Sequence, residues 1–194
     1  MEVGLQPLQQ PGEERPLGSH IQGTAVRGRR GWFDCRWVHR SRTPRCVGRK
    51  RGGQSNALGR SRGGFSTKLH AVADTKGRPI HIALTPGQRH EMMMADELLT
   101  YSRGGALIAD TGYDSNRFRQ AVRDKGMKPV IGSKPERPRK IPKSRELYGK
   151  RYLVECFFHN LKRFRAIATR FEKTARNFLA LTQIACAWLW LEQN

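Results

Sequence analysis

The stretch "GGFSTKLHAVADTKGRPIHIALTPG", residues 63–87, constrains the fold more than any other part of the chain. Two β-prone apolar runs, near 65–73 and 79–85, flank Asp74-Thr75-Lys76-Gly77, a set of residue types that closes tight turns. An antiparallel hairpin is the expectation, with Asp74 belonging to its turn. Beyond it the patterns alternate. Ala95, Leu98 and Leu99 recur at helical spacing within 90–102. "GALIAD" (105–110) is a short apolar run ending in an acid, as a buried strand reaching a sheet edge reads. "DSNRFRQAVRDKG" (114–126) predicts a helix with Asp114 as its N-cap and a glycine stop. "KPVIGS" (128–133) predicts a strand, and 134–145 an exposed basic loop broken by prolines. One long helix over 146–166 and another over 177–193 complete the chain. This is an α/β order with an antiparallel edge, and element order alone leaves several folds open.

Before residue 50 no apolar period is sustained. Pro7, Pro11, Pro16 and Pro44 are scattered through it, and "RRGWFDCRWVHRSRTPRCVGRK" fits neither a helix nor a half-buried strand. Residues 1–51 are therefore expected to be an irregular basic segment. It reads as a disordered phosphate-binding arm or as sequence translated out of frame. Residues 52–194 carry the ordered part. The whole chain of 194 residues is long enough for one domain with a real core.

Lys plus Arg number 37 against 16 Asp plus Glu, a formal charge of +21. Such an excess is hard to hold in a compact particle unless a polyanion neutralises it. DNA or RNA is the natural partner, and a ribosomal protein, a simple binder or a nuclease would all share this balance. Cys35, Cys46, Cys156 and Cys186 form no C-x-x-C pair and no zinc-ligand spacing. Cys156 and Cys186 read as buried free thiols, which points to a reducing, cytoplasmic setting. The longest apolar run, residues 178–191, is too short to cross a bilayer and reads as a buried helix. His70, His81, His90 and His159 show no ligand spacing, so surface or hydrogen-bonded histidines are expected. Trp188 and Trp190 read as core or interface anchors.

In "YGKRYLVECFFHNLKRFR" (148–165), Tyr148, Arg151, Glu155 and Lys162 share one helical stripe, while Leu153, Phe157, Leu161 and Phe164 fall on another side. An Arg151–Glu155 ion pair on a solvated face would account for the single acid. Asp110 offers a second reading, because it stands where a buried strand gives way to its loop, the edge at which α/β sites gather. Carboxylates from a strand end and from a later helix can together hold Mg²⁺ or Mn²⁺ against substrate phosphates. Two metals so held can activate the attacking oxygen and stabilise the leaving one.

The spacing Tyr148-x2-Arg151-x3-Glu155-x6-Lys162 resembles the signature around the last acid of bacterial insertion-sequence transposases of the aspartate-aspartate-glutamate (DDE) class. Residues 59–91, "IADTGYDS" (108–115) and 163–191 resemble the insertion sequence five family. The resemblance spans residues 52–194. It implies a ribonuclease-H-like mixed sheet flanked by helices and a Mg²⁺ (or Mn²⁺) site held by three acids. Asp110 would be the second acid and Glu155 the third, with Lys162, Arg151 and Tyr148 at the DNA. Asp34, 25 residues before Gly59, stands at the distance of the first acid, although its neighbours depart from the family pattern. That departure, and the lack of the family's N-terminal helical region, would suit a truncated or frameshifted form. The implied activity is cleavage of double-stranded transposon ends and their joining to target DNA. Pairing with another copy or with a full-length transposase is implied too, with no membrane role, in a bacterial cytoplasm where DNA ties the protein to the nucleoid. The alternative is an inactive DNA-binding remnant.

Overall fold

The structure is a computed structural model that describes residues 32–42, as backbone only, together with 56–61 and 64–192. The first 31 residues and residues 43–55, including Cys46, lie outside the described part.

The hairpin forms as its sequence requires. Strands β3 (Gly64–Ala73) and β4 (Pro79–Pro86) pair antiparallel, with Leu69 opposite Leu84 and Ala71 opposite Ile82. Asp74 holds the turn. Its Oδ1 accepts from the amides of Lys76 and Arg78 at 2.9 and 3.0 Å, and its Oδ2 accepts from Arg78 Nε at 2.7 Å. Gly77 supplies the left-handed step, at φ +79°.

Strand β1 (Trp32–Arg42) corrects the sequence reading of this region as irregular. It runs antiparallel to β3, with Asp34 level with Ala73, and parallel to β5 (Ala106–Ala109), with Asp34 level with Ile108. A strand bonded along both edges takes its conformation from the two ladders, so its own pattern need not announce it. β5 pairs in parallel with β6 (Lys128–Ile131), and short β2 (Gly59–Ser61) adds to the start of β3. The strand order is β4-β3-β1-β5-β6. With three parallel strands carrying an antiparallel pair on one side, this is the ribonuclease-H-like mixed sheet.

Helices cover both faces. On one, α1 (Ala95–Tyr101) and α2 (Asn116–Asp124) bury Leu98, Phe118 and Val122 against Val72, Leu107 and Ile131. On the other, α4 (Tyr152–Leu161), α5 (Arg165–Ala168) and α6 (Ala175–Glu192) bury Val154, Phe157, Leu161 and Phe178 against Leu69, Ala71 and Ala73. Between them along the chain, α3 (Arg145–Gly149) rests Leu147 on Ala106, Ile108 and Val130.

The single helix expected over 146–166 is thus three short ones. After Leu147 the amides of Lys150, Arg151 and Leu153 bond to carbonyls only three residues back, at 3.1, 3.2 and 3.1 Å. The chain tightens there and changes direction. A 3-10 turn over Glu91–Met94 likewise precedes α1. Asp114 does not cap α2; Ser115 does, its hydroxyl accepting from Phe118 N at 3.1 Å. Cys186 is buried as expected, which pushes its thiol up to about 12, whereas Cys156 is exposed on α4. Trp190 donates to Pro79 O at 2.7 Å, and Trp188 is exposed. No helix of the described residues is long and apolar enough to cross a membrane.

Phe157 packs α4 onto the sheet and is 1% exposed. Phe157→Ala is expected to lower stability by about 3–5 kcal/mol, read as a drop in the denaturant midpoint with unchanged slope.

Candidate active site

Asp110 follows β5 immediately, at the carboxyl edge of the parallel strands, and opens a short 3-10 turn over Thr111–Tyr113. Sequence parity sends it to the same sheet face as Ile108, the face that α3 covers. The tightened junction between α3 and α4 delivers Arg151 and Glu155 to the same place. One guanidinium joins the two acids: Arg151 Nη1 lies 3.2 Å from Asp110 Oδ1, and Nη2 lies 3.2 Å from Glu155 Oε1. The Arg151–Glu155 pair expected from sequence is present, and Asp110 shares it. Glu155 keeps half its side chain exposed and Asp110 about a fifth (50% and 21%), so both acids are open to solvent.

Tyr148 completes the group. The Arg151 guanidinium carbon lies 5.3 Å from its ring centre, and Lys143 Nζ lies over the same ring at 4.4 Å. A Cβ on Gly132 would come within 2.7 Å of the Tyr148 hydroxyl and 2.8 Å of Thr111 Cγ2, so glycine leaves room for the phenol between the ends of β5 and β6. Lys162 is exposed at the C-cap of α4. Seven residues past Glu155, it stands about 10 Å farther along the helix axis. Asp34 lies on the strand beside β5, level with Ile108 and two residues short of Asp110's level.

Carboxylate oxygens are what hard divalent cations take, and those of Asp110 and Glu155 already converge on one positive charge. The two therefore fit a cation site as two of its ligands. Among the described residues no three His, Cys, Asp or Glu side chains gather as a metal-holding group, and the side chain of Asp34 is not among those described.

The sequence profile of the family described as "Transposase DDE domain" matches residues 38–190. The chain belongs to this family.

Two relatives agree with the assignment. A candidate transposase for insertion sequence element IS6501 of Brucella ovis is 40% identical across 66% of this chain and 99% of its own length. A candidate transposase for insertion sequence element IS402 of Burkholderia cepacia is 30% identical across 94% of this chain and 90% of its own.

The DDE domain holds a second acid centre that sequence reasoning read only as a cap. The Asp114 side chain is fully buried among donors from three residues. Oδ1 accepts from Arg119 Nε at 2.8 Å and Arg137 Nη2 at 2.9 Å; Oδ2 accepts from Arg137 Nε and the Lys134 amide, both at 2.8 Å. Arg119, itself 1% exposed, spends another N–H on Ile131 O at 2.9 Å. The only signal in the sequence was redundancy, since Ser115 already suffices as a cap. Arg170 is buried likewise, donating to Asn56 O, Ala57 O and Thr67 Oγ1 across more than 100 residues of chain. His70, buried in the sheet, bonds Thr85 Oγ1 at 2.8 Å and Tyr113 Oη at 3.2 Å. Burial brings its pKa down to about 4, so the ring is neutral at physiological pH.

Burial alone would raise the Asp114 pKa, but the hydrogen bonds from Arg137, Lys134 and Arg119 outweigh it and hold it at about 2. A folded pKa below the unfolded one gives stability that is complete above about pH 4 and lost as pH falls toward 2. The loss expected is about 2 kcal/mol. Denaturant unfolding at pH 4.5 and pH 2 would show it, and Asp114→Asn should remove that component of the pH dependence while lowering stability at both values.

Proposed function

We propose that the chain is the catalytic domain of an insertion-sequence transposase, cutting double-stranded DNA at the ends of a mobile element and joining them to target DNA. The observation that carries this reading is the convergence of Asp110 and Glu155, 45 positions apart in a family defined by its acids, on one guanidinium. Asp110 and Glu155 are the second and third acids of the triad. Asp34 is the first, supported by its place on the strand next to β5.

Mg²⁺ or Mn²⁺, held by these carboxylates, would supply Lewis-acid activation of the attacking oxygen and charge stabilisation at the leaving one. In the first step a water oxygen bonds to phosphorus, the P–O3′ bond breaks, and the element keeps a free 3′-hydroxyl. In the second, that hydroxyl bonds to a target phosphorus and displaces the target's own 3′-oxygen, so the number of phosphodiester bonds is conserved. The chain's part is placement. Asp110 is fixed by the end of β5, while Glu155 is fixed by a helix whose opposite side is packed into the core. Arg151, forked between the acids, has the planar donor geometry that suits a phosphate as well as a carboxylate. Tyr148 holds Arg151 from behind, and Lys162 extends the positive stripe along α4 toward DNA. Contact with DNA phosphates also answers the +21 charge.

Purified protein with Mg²⁺ should nick a labelled duplex carrying the ends of the element that encodes it. Asp110→Ala, Glu155→Ala and Asp34→Ala are each expected to cut at least about 100-fold more slowly while still retarding the duplex on a gel. Loss in the first two but not in Asp34→Ala would remove Asp34 from the triad. A parent that binds the duplex and does not cut it would leave an inactive DNA-binding remnant as the reading.

A further inference from the structure

The chain leaves the sheet after β6 at Gly132 and returns to the same edge at Tyr148, beside Asp110. The loop between is tied at both ends. At the outgoing end the buried Asp114 carboxylate takes the Lys134 amide and the Arg137 guanidinium, and Arg137 Nη1 also reaches Asn116 Oδ1 at 2.9 Å. Inside the loop the Ile141 amide donates to Ser133 Oγ at 3.0 Å. Lys140 Nζ donates to the carbonyls of Lys134 and Pro135, at 2.5 Å each. At the returning end Ser144 caps α3 with a 3.3 Å bond from Leu147 N, and Lys143 lies over Tyr148. Pro135, Pro138 and Pro142 fix φ at three further points. A segment with no helix or strand of its own is thereby ordered before any partner arrives.

What the loop offers to solvent is positive. Arg139 and Lys143 are exposed, with Glu136 the one exposed acid between Lys134 and Ser144. Arg137, by contrast, has its guanidinium N–H groups committed to Asp114 and Asn116. A strap of fixed shape, carrying cations next to a carboxylate pair, matches a nucleic-acid backbone. Phosphate contacts set position without reading sequence, and cations here would offset the repulsion between DNA and the two acids.

Building on the transposase reading, we propose that residues 133–144 form a preordered phosphate-binding strap for duplex DNA. Arg139 and Lys143 are its contacts, and Asp114, acting through Arg137, is the residue that positions it beside Asp110.

The test uses the full chain and a fluorescent duplex of random sequence, with binding followed by anisotropy over a series of salt concentrations. The double variant Arg139→Gln/Lys143→Gln should bind more weakly and lose about one unit of salt slope for each cation removed. Arg137→Gln, checked for folding by circular dichroism, should weaken binding roughly two- to tenfold by loosening the strap, with its slope unchanged. Acetylation of Lys143, followed by mass spectrometry, should slow when the duplex is bound. An unchanged slope in the double variant, or a Lys143 equally reactive with and without DNA, would overturn the strap while leaving the transposase reading intact. A lower slope in Arg137→Gln would put Arg137 itself on a phosphate and end the positioning role. Failure of the parent chain to bind any duplex would sink the transposase reading, and the strap with it.

Discussion

A buried carboxylate in a chain of formal charge +21 organises the carboxyl edge of the parallel strands. Asp114 gives up all its water, and it can do so because two guanidiniums and one backbone amide surround it. Apolar side chains of similar volume could often replace such a buried cluster at little cost in stability. What it supplies is geometry. Arg119 ties the start of α2 to the end of β6, and Arg137 ties the following loop to both. Asp110, four residues before Asp114, is thereby held in a stretch of chain fixed on either side.

The same edge shows how the fold brings two acids from distant parts of the chain together. Asp110 rides on a strand end and Glu155 on a helix packed through Val154, Phe157 and Phe158. The break between α3 and α4 turns Arg151 inward so that one guanidinium spans both acids, while Tyr148 fills the gap that Gly132 leaves. Like charges near one another repel unless a cation lies between them. The geometry therefore couples the two acids through the Arg151 guanidinium.

Much of this is legible in the sequence. The hairpin around Asp74, the strand ending at Asp110, the helix over Asn116–Asp124 and the Arg151–Glu155 pair all follow from patterns within about ten residues. Besides Cys156, which is exposed where burial was expected, three readings failed for one kind of reason. Strand β1 lacks a readable pattern because neighbours on both edges set its conformation. The helix over 146–166 breaks although its apolar period runs on, since the chain must place α3 on β5 and β6 and α4 on the opposite stretch of the sheet. Asp114 looks like a cap because two of its three partner residues, Arg137 and Lys134, are 20 or more residues away.

The sequence by itself determined the α/β order, the phosphate-seeking charge, the stripe of Tyr148, Arg151 and Glu155, and Asp110 as the acid at a strand end. These are local properties, written in residue type and spacing. Only the tertiary structure decided that Asp110 and Glu155 share one guanidinium, that Asp34 lies on the strand beside β5, and that Asp114 pins a basic loop next to the pair. Each of those depends on which strands lie side by side. Strand order is fixed by burying both faces of the sheet at once, a condition that no short window of sequence contains.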